Sequence, residues 1–236
     1  MRTINYAVVV ILTLVCCLTG IAGEKATDVF LCFGVYTQHY GLEQALSNCT
    51  FTTLDAHAKG FKNFPSSKTL ETCKLVILSD VSGTEFTPEE IEQITTYVKQ
   101  GGKILILGGP MTFGVGRFSE CGFKDMIPVT LQPFDLKWEK EGVTFKKVSD
   151  NPMTAGLDFK DKPMVYWIHQ VEPVEKSKVL LKAGKYPLLI TGTYGKGTVI
   201  VFTGTPMGIP NKGDLPFWKW SGWPTLIQQI ERSTYP

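Results

Sequence analysis

KLVILSDVSGTEFTPEEIEQITTYVKQGGKILIL, residues 74–107, decides the fold. Its opening run, KLVILSDV, is a near-continuous Leu/Ile/Val strand, the pattern of a strand covered on both faces of a parallel sheet. A helix follows. Thr87 and Glu90 form a T-x-x-E capping box, Pro88 takes the first helical position and Gly101 supplies the stop. Ile91, Ile94 and Val98 recur at helical spacing as the buried face, leaving Glu89, Glu92, Gln93, Lys99 and Gln100 to solvent. With Lys103–Leu107 as the next strand, the stretch is a right-handed β-α-β unit. The class is therefore α/β, with a mostly parallel central sheet.

Upstream, DVFLCFGVYT (residues 28–37) reads as a strand, HYGLEQALSN as a short helix, FTTLDAHA (residues 51–58) as a second strand, and the segment around Leu70 as a weak helix. Downstream the texture changes to frequent turn residues and apolar runs at 143–148, 164–168 and 179–181, which predict antiparallel strands extending the sheet. Residues 187–202 form a hairpin pattern, two β-branched runs around Tyr194-Gly195-Lys196-Gly197. Gly-Lys-Gly-Thr there lacks the G-x-x-x-x-G-K-[ST] frame of a phosphate loop and reads as a turn. TLIQQIER, residues 225–232, predicts a terminal helix.

Arg2 precedes an apolar run from Tyr6 to Leu18 followed by Gly20, Ala22 and Gly23. This is the pattern of a secretory signal peptide, residues 1–23, cut after Ala22 or Gly23. The run falls short of the about 20 residues of a membrane span, so a secreted or periplasmic chain is expected, with anchoring through an uncleaved segment or lipid as the alternative. Cys16 and Cys17 lack the preceding small residue of a lipidation signal. The remaining residues 24–236, in a chain of 236 residues that is 43% hydrophobic, suit one domain. A net charge of +2 from 24 basic and 22 acidic residues, without polybasic blocks, argues against nucleic acid as a partner.

Four cysteines follow the leader: Cys32, Cys49, Cys73 and Cys121. An exported chain would allow disulfides among them, in pairings the spacing leaves open. No CxxC pair occurs and His39, His57 and His169 lie far apart, so neither a metal nor another cofactor is expected. Asn48-Cys49-Thr50 fits the N-glycosylation pattern, which matters only in a eukaryotic secretory pathway.

The segments DAHAKGFKNFP, LVILSDV, YVKQGGKILILGGPMTFG, MIPVTL, SDNPMTAGL, YGKGTVIVFTGTP and FWKWSGW occur in this order over nearly all of the chain after residue 23. Together they resemble the glutamine amidotransferase-like domains of the class I amidotransferase superfamily. That resemblance implies a flavodoxin-like three-layer sandwich. It also implies that the loop after Leu107 stands where active members carry a cysteine nucleophile in a G-x-C-x-G turn, helped by a histidine and a glutamate. Here the position falls on Pro110 or Met111, and no cysteine occurs between Cys73 and Cys121. Pro110 is also barred from the strained positive φ of such a turn.

The expected function is therefore an exported domain without glutaminase activity, binding an unidentified small molecule or protein. Its expected ligand-binding edge comprises Asp80, Ser82, Gly109, Pro110, Met111 and Thr112, at the carboxyl ends of the strands. Asp80 has a second reading as a cap for the loop into the Thr87 helix, and Thr112 one as a backbone cap. A rival is a divergent hydrolase acting on an amide or cell-envelope substrate through Cys121, His169 and Glu172, although H-Q-V-E departs from the family's H-x-E. A third reading is a carbohydrate-binding module using Phe217, Trp218, Trp220 and Trp223, against core packing of the same rings.

Overall fold

The computed structural model describes residues 28–56 and 59–234. The expected signal peptide lies outside them, as do His57 and Ala58 at the end of the second expected strand. In chain order come β1 (Val29–Phe33), α1 (Leu42–Ala45), β2 (Phe51–Asp55), α2 (Ser67–Glu71), β3 (Leu75–Ser79), α3 (Pro88–Lys99) and β4 (Lys103–Leu107). Then follow β5 (Val129–Thr130), β6 (Leu136–Lys147), β7 (Met164–His169), β8 (Glu172–Pro173), β9 (Lys178–Ala183), β10 (Tyr186–Tyr194), β11 (Gly197–Phe202), β12 (Gly204–Thr205) and α4 (Gly222–Arg232). One 10-stranded sheet runs β12-β7-β6-β9-β10-β11-β4-β3-β1-β2, and β5 pairs with β8 apart from it. Its core, β11-β4-β3-β1-β2, is parallel, and the strands on the other side of β11 are antiparallel.

Alternation along the strands sorts the core into two clusters. Val29, Leu31, Leu75, Ile77 and Leu105 pack with Leu226, Ile227 and Ile230 of α4. Phe30, Val76, Leu78, Ile104 and Ile106 pack with Ile94 and Val98 of α3. Each such side chain taken from water stabilises the fold by about 1.5–3 kcal/mol. These residues make β3 and β4 apolar on both faces, as the sequence pattern implies.

The capping box of α3 forms: Thr87 Oγ1 accepts from Glu90 N at 3.2 Å, and Glu90 Oε2 from Thr87 N at 2.9 Å. Glu90 Oε1 also accepts from Phe61 N at 2.7 Å, which ties the preceding loop to the helix. The covering layers are thin, since only α3 (12 residues) and α4 (11 residues) exceed two turns. The helix expected from His39 onward is cut to four residues because Gly41, at φ +61°, breaks the turn before it. The hairpin of β10 and β11 forms with Gly195 at φ +61° in its turn.

Two expectations are corrected here. Cys32, Cys49, Cys73 and Cys121 are all free thiols, because the fold places them on separate packing contacts rather than against one another. Burial pushes the Cys73 thiol up to about 11. Three of the four terminal aromatics are core: Phe217 is fully buried and Trp220 and Trp223 are 2% exposed, while Trp218 is half-buried against them. Trp223 Nε1 donates to Tyr40 O at 2.7 Å and Trp220 Nε1 to Asp158 O at 3.2 Å, so the indole N–H groups are satisfied inside. Among the described residues no helix is long and apolar enough to cross a membrane.

Lys103, at the start of β4, locks the end of α4 to the sheet, its Nζ donating to Glu231 O at 2.5 Å and Ser233 O at 2.6 Å. Burial lowers its pKa from 10.5 to about 8, against the pull of Glu231. Below pH 8 folded and unfolded chains both hold this proton. Between about pH 8 and 10.5 the unfolded chain binds a proton that the folded chain lacks, so this group makes stability rise with pH. Urea melts of the parent and Lys103→Gln across that window are expected to show the parent gaining stability relative to the variant as pH increases.

Candidate functional site

At the carboxyl edge of β3 the chain turns through Asp80 at φ +54°, a left-handed conformation that aspartate tolerates better than most residues. Its side chain folds back between two loops. Asp80 Oδ2 accepts from Tyr36 N at 3.0 Å and Oδ1 from Met111 N at 3.0 Å, stapling the loop after β1 to the loop after β4. Burial pushes its carboxyl pKa up, and the two N–H groups and His169 pull it back. Asp80 therefore does not cap the loop into α3. Ser82 also joins two loops, its hydroxyl accepting from Thr84 N at 3.2 Å and donating to Gly116 O at 2.9 Å.

The glycines after β4 are there for close approach. Neither Gly108 nor Gly109 has positive φ; in the loop that conformation falls on Phe113, at φ +55°, and Arg117, at φ +59°. A Cβ on Gly109 would stand 2.4 Å from Asp80 Oδ1 and 2.8 Å from Asp80 Cα, and one on Gly108 would stand 2.5 Å from Gly204 O. Tyr40 closes the floor, its hydroxyl reaching Gly108 O at 2.8 Å and Gly204 O at 2.7 Å.

Against this loop sits His169, the last residue of β7 and fully buried. Its Nδ1 lies 2.9 Å from Asp135 Oδ1, and Asp135 is 1% exposed and also accepts from Gly114 N at 3.0 Å. With Nδ1–H donating to Asp135, the neutral ring accepts Gly109 N–H at Nε2 (3.3 Å); a protonated ring would donate to Gly109 O (3.1 Å). Phe113 seals the ring edge-on at 4.8 Å. A carboxylate that orients an imidazole is the geometry of a general base. Here the imidazole faces backbone, with Nδ1 on Asp135 and Nε2 on Gly109.

The other candidates lie elsewhere. Cys121 is half-buried against Gly83 and Phe118, its Sγ donating to Phe118 O at 3.6 Å, and burial raises its pKa. Glu172 is exposed on β8, opposite Thr130. The carboxylate on His169 is Asp135, which escapes a reading of the sequence because a single Asp in QPFDL carries no spacing signal. The Thr112 hydroxyl is fully buried without a hydrogen-bond partner, so it caps nothing. Pro110 is half-buried, while Met111 is 47% exposed, and Val35 and Phe134 are also exposed. Among the described residues no three His, Cys, Asp or Glu side chains gather as a metal site.

The chain matches the GATase1-like family of glutamine amidotransferase-like proteins over residues 75–232. Among solved structures it is similar to the cytoplasmic protein STM1381 of Salmonella typhimurium LT2, with a TM-score of 0.75 and 18% identity over 88% of this chain and 99% of that one. The cytoplasmic protein STM3548 of Salmonella typhimurium gives a TM-score of 0.73 and 20% identity over 87% of this chain and 98% of that one. A beta-galactosidase from Bacillus circulans sp. alkalophilus is similar at a TM-score of 0.57 and 12% identity, over 87% of this chain and 30% of its own length. These likenesses concern the fold. No curated protein is significantly similar in sequence.

Proposed function

Because the chain belongs to the glutamine amidotransferase-like family, we propose that it is an exported member without glutaminase activity, acting as a binding domain on a flavodoxin-like three-layer frame. One observation carries this reading. The nucleophile position, Pro110 or Met111, carries no reactive side chain, and Asp80 fills the space beside it, which leaves Gly109 no room for any side chain. The buried His169–Asp135 pair retains the form of a catalytic dyad and serves to hold the loop closed. The hydrolase reading finds little support: both ring nitrogens of His169 are engaged, and Cys121 is a half-buried thiol whose raised pKa keeps it protonated.

Binding is then assigned to what the loops expose, namely Met111 with Val35 and Phe134, rather than to a polar pocket at Asp80. Purified protein incubated with glutamine is expected to release no ammonia above a protein-free blank. Release that vanishes in Cys121→Ala or His169→Asn would sink the reading. Export has its own check: the protein recovered from its host is expected to begin after Ala22 or Gly23 on N-terminal sequencing.

A further inference from the structure

We propose that a cleft on the antiparallel half of the sheet, floored by Trp138 and Trp167, is a subsite for a neutral sugar ring. The two residues are cross-strand partners on β6 and β7, their rings 6.0 Å apart and 14° from parallel. Trp138 is 54% exposed, so the pair offers an indole surface to solvent.

The walls are built by two departures from regular structure. On β6, Trp138 pairs with Trp167 and Val143 with Val165, so residues 139–142 stand opposite Tyr166 alone. This bulge turns at Gly142, φ +69°, where a Cβ would lie 2.7 Å from the Tyr166 ring. It lifts Lys140 and Glu141 to one side of the cleft. Opposite, the segment after β12 crosses Tyr166 at Gly208, φ +117°, where a Cβ would lie 2.6 Å from that residue. The Tyr166 hydroxyl donates to Asp214 Oδ2 at 2.8 Å, and the same oxygen accepts Asn211 N–H at 3.2 Å. These bonds fix the segment that carries Ile209 and Asn211. The cleft is open to solvent and has a volume of about 440 Å³.

Its chemistry selects the occupant. Among the described residues the side chains of Lys140, Glu141 and Asn211 make no hydrogen bond or ion pair, although all three line the cleft. A sugar lays a C–H face on an indole and offers hydroxyls that such donors and acceptors can satisfy. One acid and one base leave the cleft close to neutral, which disfavours phosphates and acidic polymers. A dry apolar partner would bury the same polar and charged groups without partners, which opposes its binding. None of the cleft residues belongs to the Asp80–His169 cluster, so the site stands whether or not the chain hydrolyses glutamine.

Calorimetric titration of the purified protein with cellohexaose, chitohexaose, maltohexaose and laminarihexaose tests the proposal. At least one is expected to bind and to quench tryptophan fluorescence. Trp138→Ala is expected to weaken binding about tenfold, in line with the loss of one aromatic contact. Glu141→Gln and Lys140→Ala, on exposed positions that leave the fold intact, are each expected to weaken it severalfold. Failure of all four sugars to bind at millimolar concentration overturns the proposal, as does binding that none of the three variants alters. A dimer in sedimentation that Trp138→Ala dissolves also overturns it, by giving the face to a second copy of the chain.

Discussion

Asp135→Ala is expected to lower the free energy of unfolding by about 3–5 kcal/mol, the loss typical when one partner of a buried pair is removed. The carboxylate is 1% exposed and holds His169 Nδ1 at 2.9 Å, Gly114 N at 3.0 Å and Val115 N at 3.4 Å. Truncation leaves all three donors without this acceptor, His169 Nδ1 and Gly114 N in the buried interior. The loop after β4 loses two anchors at once. Asp135→Asn keeps an acceptor oxygen in nearly the same place, so its loss should be clearly smaller. Urea unfolding of parent and variants, with unchanged m-values, gives the comparison. A loss below about 1 kcal/mol for Asp135→Ala would mean that the dyad does not hold this loop.

A thiol placed beside the nucleophile position, Gly109→Cys, is expected to gain no glutaminase activity and to cost about 3 kcal/mol, the upper end of the overpacking range. The new Cβ would meet Asp80 Oδ1 at 2.4 Å, Asp80 Cβ at 2.6 Å and Asp80 Cα at 2.8 Å. The last of these is backbone. The oxygen cannot swing aside freely either, since it accepts from Met111 N at 3.0 Å and the other carboxylate oxygen accepts from Tyr36 N. Met111→Cys puts the thiol on the half-exposed nucleophile position itself; it should stay within about 0.5 kcal/mol of the parent and, with both ring nitrogens of His169 engaged, also release no ammonia. Thermal melts and an ammonia assay on the two variants decide the matter. Ammonia release by Met111→Cys, or by a Gly109→Cys protein as stable as the parent, would show that the loop can still take a nucleophile.

What is legible in the chain follows the range of the interactions. The capping box of α3, the apolar runs of β3 and β4 and the glycine turn of the β10–β11 hairpin act within a few residues, and they form where the sequence places them. The helix after His39 is shorter than its apolar pattern implies, because that pattern does not reveal the left-handed conformation of Gly41. The terminal tryptophans are ambiguous for another reason. An indole packs on a core or on a ligand with the same surface, and only the partners inside, Tyr40 O and Asp158 O, separate the two.

The α/β class, the family resemblance and the missing cysteine are all readable in the chain, because they rest on residue identity and local periodicity. Tertiary structure alone decided the site. His169 meets Asp135 across 34 residues of chain and Gly109 across 60, and Asp80 reaches into the loop from the neighbouring strand. Such contacts are set by which strands lie side by side and how closely their ends approach, and no spacing rule encodes that. The same pairing of β6 with β7 stacked Trp138 on Trp167 and moved the exposed aromatic surface away from the end of the chain.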